Sequence, residues 1–336
     1  LEMNEIPGYN IGYADKDDNI FYISNGLIPK RNDKYKWTGV LPGNTSETLW
    51  TEYYKTSELP QVINPESGYI YNANHSPYKS TSLDENPNPK DFATNMGFET
   101  FDNNRSTRIF ELVESYDAID YEAFKTIKYD NKFPTPFNYN FMNINNIMEM
   151  SPENYPEISD ILEQIQKWDR KTDANSTGAG AYAMFYYTLA DKYFYKSYYD
   201  RNFSKSLIAD CLIEVKNRMI KHFKTTNVKL GDFQKLVRGN KEIPIFGMPD
   251  VITAMNASKY KGGKVQVTHG ESYIQLIKFS SKGTEIESVI SYGSSDHKDS
   301  PHYNDQMDIY SKFQTKKMSF DRNYVIKNAE KTYNPE

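Results

Sequence analysis

A short Asn-rich segment supplies the first side chains whose type and spacing could do chemistry. Residues 64–77 read NPESGYIYNANHSP, a pattern that predicts a strand ending in two amide side chains shortly before a proline. Because an amide directed into a cleft can donate a hydrogen bond to a developing oxyanion, Asn74 is a candidate catalytic donor. The alternative is an ordinary loop asparagine that caps its own turn.

Two arginines form a second candidate cluster. Arg105 and Arg108 lie at the predicted start of a helix, within residues 103–112. Cations are unfavourable at the positive end of a helix dipole, so two of them there indicate specific partners. Surface salt bridges are the alternative that the sequence leaves open.

The histidines and the single cysteine give weaker signals. The sequence has no two-His helical pair with a nearby Glu, no nucleophile elbow, no P-loop and no dinucleotide fingerprint. His297 and His302 share an Asp-rich loop, for which hydrogen bonding is favoured over metal ligation. Cys211 lies in an amphipathic stretch and is predicted to be a buried, unreactive thiol. We therefore predict neither a metal site nor a cofactor.

The composition excludes several classes of protein. The chain has 336 residues and a net charge of -5, and it lacks a basic stripe, so a dedicated nucleic-acid binder is excluded. With 28 Tyr and 18 Phe, aromatic side chains can supply a sizeable core. The longest uncharged run, 175–190, is shorter than the ~20 residues that a membrane span needs, so we predict no span.

Strands, loops and helices must position these groups. The pattern at 10–14 and 20–24 predicts two strands joined in a hairpin. The Asp-rich turn between them imitates the start of a calcium loop, but it has Ile20 where such a loop needs Gly, so a hairpin turn is favoured. Residues 29–65 predict a long ordered loop. Three helices are predicted from apolar residues at helical spacing. They are marked by Ile109, Leu112 and Val113; by Ile158, Leu162, Ile165 and Trp168, with Ser159 as a possible N-cap; and by Ile208, Leu212, Val215 and Met219.

The last region returns to strands, predicted at 264–268, 272–279 and 286–291. The middle strand is apolar on both faces, which predicts that it is covered on both sides in a layered sandwich. One face carries Tyr273, Ile277 and Phe279, and the other carries Ile274 and Leu276. The aromatic run at 185–199 is predicted to be core at helical spacing.

Ten short motifs occur in an order that resembles the later part of the catalytic subunit of the penicillin acylase family, the N-terminal-nucleophile amidases. They are YADKDDNI (13–20), GLIPKR (26–31), WTG (37–39), LPQVINP (59–65), GYIYNAN (68–74), NRSTRI (104–109), WD (168–169), VRGNKEIP (237–244), HGESY (269–273) and SPHYNDQ (300–306). Within the family, the sequence is most similar to the acyl-homoserine-lactone and aculeacin acylase branch.

The resemblance implies an α+β fold, namely part of the αββα sandwich of N-terminal-nucleophile hydrolases with a large helical insertion between strand zones. Residues 1–103 are expected to form the strand and loop portion, 104–258 the helical region and 259–336 the returning strands. Such enzymes use the N-terminal Ser of the large subunit as nucleophile. Its own α-amino group, with an unperturbed pKa of ~7.7–8.0, serves as the base.

On the matching positions, Asn74 resembles the side-chain oxyanion donor and Arg105 the arginine that orients groups near the terminal amine. Ala73 stands where some relatives carry Trp, and we expect Ala73 and His75 to line the substrate site. Asp18 stands where the family's hairpin turn usually has Gly. Nothing in the sequence matches the Gly-Ser-Asn start of the large subunit. The nucleophile is therefore expected upstream of this chain, and the chain alone is expected to be inactive.

The resemblance also implies partners and a location. We expect a small-molecule amide substrate, whose acyl group belongs to a β-lactam, an acyl-homoserine lactone or a lipopeptide. The expected protein partner is the upstream portion of the same precursor, comprising the small subunit and the N-terminal part of the large subunit. The family implies a periplasmic or secreted enzyme. Two alternatives remain open, a non-catalytic acylase homologue and a surface glycan-binding protein whose exposed aromatics stack on sugars.

Overall fold

A computed structural model describes residues 8–135, 145–199 and 203–333 of the chain. The chain divides into two compact units, Leu1–Ile109 and Phe110–Glu336. The division into three regions that the sequence suggested stays a prediction.

The first unit begins with a three-stranded antiparallel sheet. Its strands are β1 (Tyr9–Ala14), β2 (Ile20–Asn25) and β3 (Gln61–Ile63), in that order. The predicted hairpin is confirmed, since β1 and β2 pair in register across a turn in which the Asp15 carboxylate accepts the backbone N–H groups of Asp17 and Asn19. Asp18 lies at φ 61° in this turn, a left-handed conformation that Asp tolerates better than most residues.

The strand predicted at the start of the 64–77 segment is wrong, because residues 64–82 form turns and bends with no strand. Side-chain oxygens accept hydrogen bonds from backbone N–H groups of these residues, which a sheet would otherwise use. The Glu85 carboxylate accepts the Ser67 N–H at 3.0 Å, and the Asn86 amide oxygen accepts the N–H groups of Ser80 and Thr81 at 2.6 and 3.1 Å. Helix α1 (Asn104–Val113) then starts at the end of this unit, as predicted.

The second unit contains the remaining helices. They are α2 (Tyr121–Lys128), α3 (Asn145–Met148), α4 (Ser159–Gln166), α5 (Thr177–Tyr199), α6 (Lys205–Phe223), α7 (Leu230–Phe233), α8 (Met307–Tyr310) and α9 (Arg322–Asn328). The two other helices predicted from apolar spacing are confirmed as α4 and α6. Ser159 as N-cap is wrong, because Ile158 occupies that position and the Ser159 hydroxyl donates instead to the Pro156 carbonyl at 3.2 Å.

Aromatic side chains build the core around α4, α5 and α6. Phe133, Tyr182 and Phe185 are fully buried, so the predicted aromatic core is confirmed at Phe185, while side chains 194–199 lie outside the described residues. Gly180 lets α5 approach the segment before α7, because a Cβ there would collide with the Val228 carbonyl oxygen. Cys211 is fully buried, which confirms the predicted burial of this thiol, and burial raises its pKa to about 11.

The second unit also contains two sheets. The first has the order β5 (Lys241–Pro244), β4 (Gln234–Arg238), β7 (Val265–Gly270) and β6 (Met255–Lys259), and its β4–β7 pair is parallel. The second has the order β10 (Lys316–Met318), β9 (Gly283–Ile290) and β8 (Tyr273–Ser280). Leu236 of the first sheet and Leu276 of the second belong to one buried cluster, as expected of a sandwich. The α+β class is therefore confirmed.

The expectation that β8 is covered on both faces is wrong for the described part of the chain. Ile274 and Leu276 are buried, but Tyr273, Ile277 and Phe279 are 52%, 43% and 40% exposed. Among the helices that the structure describes, none is sufficiently long and apolar to cross a membrane.

Candidate active site

The structure brings the two candidate clusters together within the first unit. The Asn103 side chain links them, because its Nδ2 donates to the carbonyl oxygens of Ala73 and Asn74 at 2.7 and 3.3 Å. The Arg105 guanidinium, in the first turn of α1, donates from Nη1 to the Asn74 Oδ1 at 3.2 Å. Residues about thirty positions apart in the chain therefore meet in one polar cluster.

Asn74 holds an exposed amide in a constrained backbone. Its φ is 57°, in the left-handed region that Asn enters more readily than most non-glycine residues, and its N–H donates to the Asn72 Oδ1 at 2.9 Å. The Arg105 donor fixes the amide orientation, since only Oδ1 can accept from a guanidinium. Among the described residues no group accepts from Nδ2, so this N–H₂ group remains a donor at the surface of the unit.

His75 lies behind the loop rather than beside the exposed amide. It is 2% exposed and stacks on Tyr71 with ring centroids 5.0 Å apart. Its Nδ1 accepts the Ala73 N–H at 3.1 Å, and its Nε2 lies 2.6 Å from the Lys79 carbonyl oxygen, which is an acceptor, so the neutral Nε2–H tautomer follows. Ala73 is also buried. This placement does not support the predicted contact of either residue with substrate.

The start of α1 is rigidly capped. The Asn103 Oδ1 accepts the Ser106 N–H at 2.8 Å, and the Ser106 hydroxyl oxygen accepts the Asn103 N–H at 3.1 Å. Asp102 forms an ion pair with Lys79 across the loop. Asn103 was not predicted to link the clusters, although Asn directly before a helix is a recognisable cap that can reach neighbouring backbone groups.

His302 forms hydrogen bonds within the fold. The His302 imidazole lies 2.8 Å from an Asp305 carboxylate oxygen and 3.0 Å from that of Glu330, and these hydrogen bonds raise its pKa. The predicted hydrogen-bonded loop is thus confirmed. In the part of the chain that the structure describes, no group of three or more His, Cys, Asp or Glu side chains could hold a metal ion.

Comparisons with known proteins agree on one family. The penicillin amidase family model matches residues 1–327. Acyl-homoserine lactone acylase PvdQ of Pseudomonas syringae pv. syringae is 34% identical over 95 residues, which cover 27% of this chain and 12% of that protein. Penicillin G acylase of Escherichia coli is 39% identical over 67 residues, or 20% of this chain and 8% of that protein.

One solved structure has a similar fold. The thermostable penicillin G acylase of Alcaligenes faecalis superposes with a TM-score of 0.58 at 14% identity, over 99% of this chain and 68% of that one. At this identity the likeness shows the fold, which confirms the fold class predicted from the motifs. Since the family model also covers nearly the whole chain, the chain belongs to the penicillin amidase family.

Proposed function

We propose that this chain contributes the oxyanion-stabilising part of an enzyme that hydrolyses the amide bond of an acylated small molecule. The observation that carries the proposal is the geometry at Asn74, whose amide oxygen is held by Arg105 while its Nδ2 donor is exposed. Family membership over residues 1–327 supports the same chemistry.

The exposed amide suits the transition state of amide hydrolysis. When a nucleophile attacks the substrate carbonyl, negative charge develops on the carbonyl oxygen, and a preorganised N–H donor stabilises it. Asn74 is preorganised because Asn72 and Asn103 hold its backbone while Arg105 holds its Oδ1. Arg105 therefore acts through Asn74 and is a positioning residue.

The nucleophile is proposed to come from another segment of the same precursor. The resemblance to N-terminal-nucleophile amidases supports a Ser, Thr or Cys at the start of the large subunit, with its own α-amino group as the base. The purified chain alone should then show no turnover. Mass spectrometry of the mature protein should find two chains, one of which begins at that nucleophile.

Substrate and location belong to the same proposal. The relatives act, by name, on an acyl-homoserine lactone and on penicillin G, so the substrate class we propose covers these amides. Lipopeptides are included because the sequence also resembles the aculeacin acylase branch. The complete protein should be assayed on phenylacetyl and long-chain acyl amides of a common amine. Export to the periplasm or medium is supported by the family resemblance and is tested by cell fractionation. Absence of turnover on every amide would favour the non-catalytic homologue.

Replacing Arg105 by Ala should lower kcat in the complete enzyme about 10-fold or more, because the Asn74 amide loses the charged hydrogen bond that fixes its orientation. Arg105→Lys keeps the charge but not the planar fork, so we expect an intermediate kcat.

The matched control is Arg322→Ala, since Arg322 also lies at a helix start, in α9, and is exposed. The control should leave kcat within about 2-fold of the wild type, as for surface substitutions in general. Equal kcat values for Arg105→Ala and the control would remove Arg105 from the site. Thermal unfolding of each variant separates a loss of orientation from a loss of folding.

A further inference from the structure

We propose that His75 is a positioning residue for Asn74, because its neutral imidazole clamps the loop that carries the oxyanion donor and its protonation releases that clamp. The inference rests on the proposed role of Asn74 in amide hydrolysis. It assigns to His75 a role different from the substrate contact expected from the sequence.

The imidazole ties together two backbone points of the loop. Its Nδ1 accepts the N–H of Ala73, the residue before Asn74, at 3.1 Å, and its Nε2–H donates to the Lys79 carbonyl oxygen at 2.6 Å. At the other end of the same residue, in the following peptide group, the Asn103 Nδ2 donates to the Ala73 carbonyl oxygen at 2.7 Å. Ala73 is therefore fixed at both its N–H and its C=O.

This clamp bears on Asn74 because the backbone there is strained. A left-handed φ of 57° is less favourable than the right-handed alternative for any residue with a Cβ, so neighbouring contacts must maintain it. Ala73, held by His75 at its N–H and by Asn103 at its C=O, directly precedes Asn74. If the backbone at Ala73 rotates, the Asn74 amide moves away from Arg105, and catalytic geometry is sensitive to displacements of about 1 Å.

Protonation would break the clamp at one defined atom. In the neutral ring only one nitrogen carries a proton, whereas in the imidazolium both nitrogens are donors. A proton on Nδ1 would face the Ala73 N–H, donor against donor, at a separation of 3.1 Å. The buried hydrogen bond would then be lost, while the Nε2–H contact to Lys79 would remain.

Burial and the charges around His75 determine the pH at which this happens. From its own loop it faces Lys79 and stacks on Tyr71, and from the start of α1 it faces Asp102 and Arg105. Burial is the largest influence and lowers the pKa of His75; Arg105 and Lys79 lower it further, whereas the Lys79 carbonyl hydrogen bond and Asp102 raise it. The clamp is thus intact at neutral pH and is lost only as the pH falls below 6.5, the ordinary histidine value, through the lowered pKa.

A double-mutant cycle in the complete enzyme tests whether His75 acts through Asn74. His75→Ala should lower kcat about 10- to 100-fold, and His75→Gln should recover most of that loss, because its amide can accept and donate without titrating. In an Asn74→Gly background, His75→Ala should change kcat by less than about 2-fold, since the group that it positions is gone. Equal losses in both backgrounds would overturn the proposal.

The pH dependence of kcat is a second test, because a merely structural role of His75 would not change its slope. The α-amino base alone makes log kcat fall by about one unit per pH unit on the acid side, and His75 should steepen the slope to about two over the first one to two pH units below its own pKa. His75→Gln should restore the slope of one. A wild-type slope of one throughout, down to the pH at which the enzyme unfolds, would contradict the proposal.

A spectroscopic measurement is independent of the amidase activity. The ¹⁵N resonances of His75, assigned by their loss in His75→Gln, should show an unprotonated Nδ1 and a protonated Nε2 at pH 7. The opposite tautomer would contradict the proposed clamp.

The activities of two variants distinguish this inference from the proposed function. If Asn74→Asp keeps full activity, the proposed function fails. If Asn74→Asp is inactive and His75→Ala is normal, only the positioning role fails.

Discussion

Replacement of Asn74 by Asp should lower kcat for amide hydrolysis in the complete enzyme by about 10²–10³, the usual loss for one oxyanion donor. Asp has nearly the same size, tolerates the left-handed φ of 57° and still offers an oxygen to Arg105. It lacks the N–H donor, however, and it places a negative charge where the oxyanion develops. The measurement is the steady-state hydrolysis of a chromogenic acyl anilide.

Asn64→Asp is the matched control for this substitution. Asn64 lies in the same unit, also has a left-handed backbone, with φ 44°, and its Oδ1 accepts the Ile20 N–H at 2.8 Å, a contact that Asp preserves. The control also loses an N–H donor, since the Asn64 Nδ2 donates to the Asn19 Oδ1 at 3.2 Å. We expect kcat of the control within about 2-fold of the wild type, because Asn64 lies outside the polar cluster of Asn74, Asn103 and Arg105. A near-normal kcat for Asn74→Asp would remove Asn74 from the site.

The second large effect concerns stability rather than chemistry. Phe133→Ala should reduce the free energy of unfolding by about 3–5 kcal/mol, the usual range for truncation of a buried aromatic. Phe133 is fully buried, and its ring meets those of Trp168 and Tyr182 edge-on, with centroids 5.9 and 6.1 Å away. Trp168 and Tyr182 stack on each other at 5.0 Å, so the truncation leaves a cavity against two rigid rings.

Hydrogen exchange of the α4 and α5 amides measures this loss where it occurs, because exchange reports local opening free energies even in a multidomain protein. Phe124→Ala, in α2, is the control, since Phe124 is 46% exposed and its truncation should change the opening free energy by no more than about 0.5 kcal/mol. Similar effects of the two truncations would mean that Phe133 does not anchor this core.

The sequence predicts those elements of the fold in which apolar residues recur regularly at helical spacing. Helix α6 is an example, because Ile208, Leu212, Val215 and Met219 all proved to be buried on one face. Residues 64–72 failed as a strand, since the Glu85 carboxylate, almost twenty positions away, takes backbone N–H groups of Glu66 and Ser67 that a sheet would need. The spacing of apolar residues within one segment carries no information about such distant side-chain partners.

The candidate site could be predicted only in part for a similar reason. Asn74 and Arg105 were predicted from motifs, and in the structure the Arg105 Nη1 lies 3.2 Å from the Asn74 Oδ1. The inward orientation of His75 depends on how the loop closes onto Lys79, which no local pattern encodes. On β8, the hydrophobic pattern predicts two covered faces, yet the Tyr273 face is exposed, because burial depends on what lies opposite a strand and not on its own sequence.

Binding of a transition-state analogue tests the role of Asn74 most directly, because it separates stabilisation of the oxyanion from binding of the ground state. The Kd of a tetrahedral phosphonate analogue and the Kd of an uncleaved planar amide of the same acyl group should be compared in the wild type and in Asn74→Gly, which keeps the left-handed backbone without a side chain. We predict about 10²-fold weaker binding of the tetrahedral analogue and less than about 3-fold weaker binding of the planar amide. Equal weakening of both ligands, or of neither, would contradict the assignment of Asn74 as the oxyanion donor.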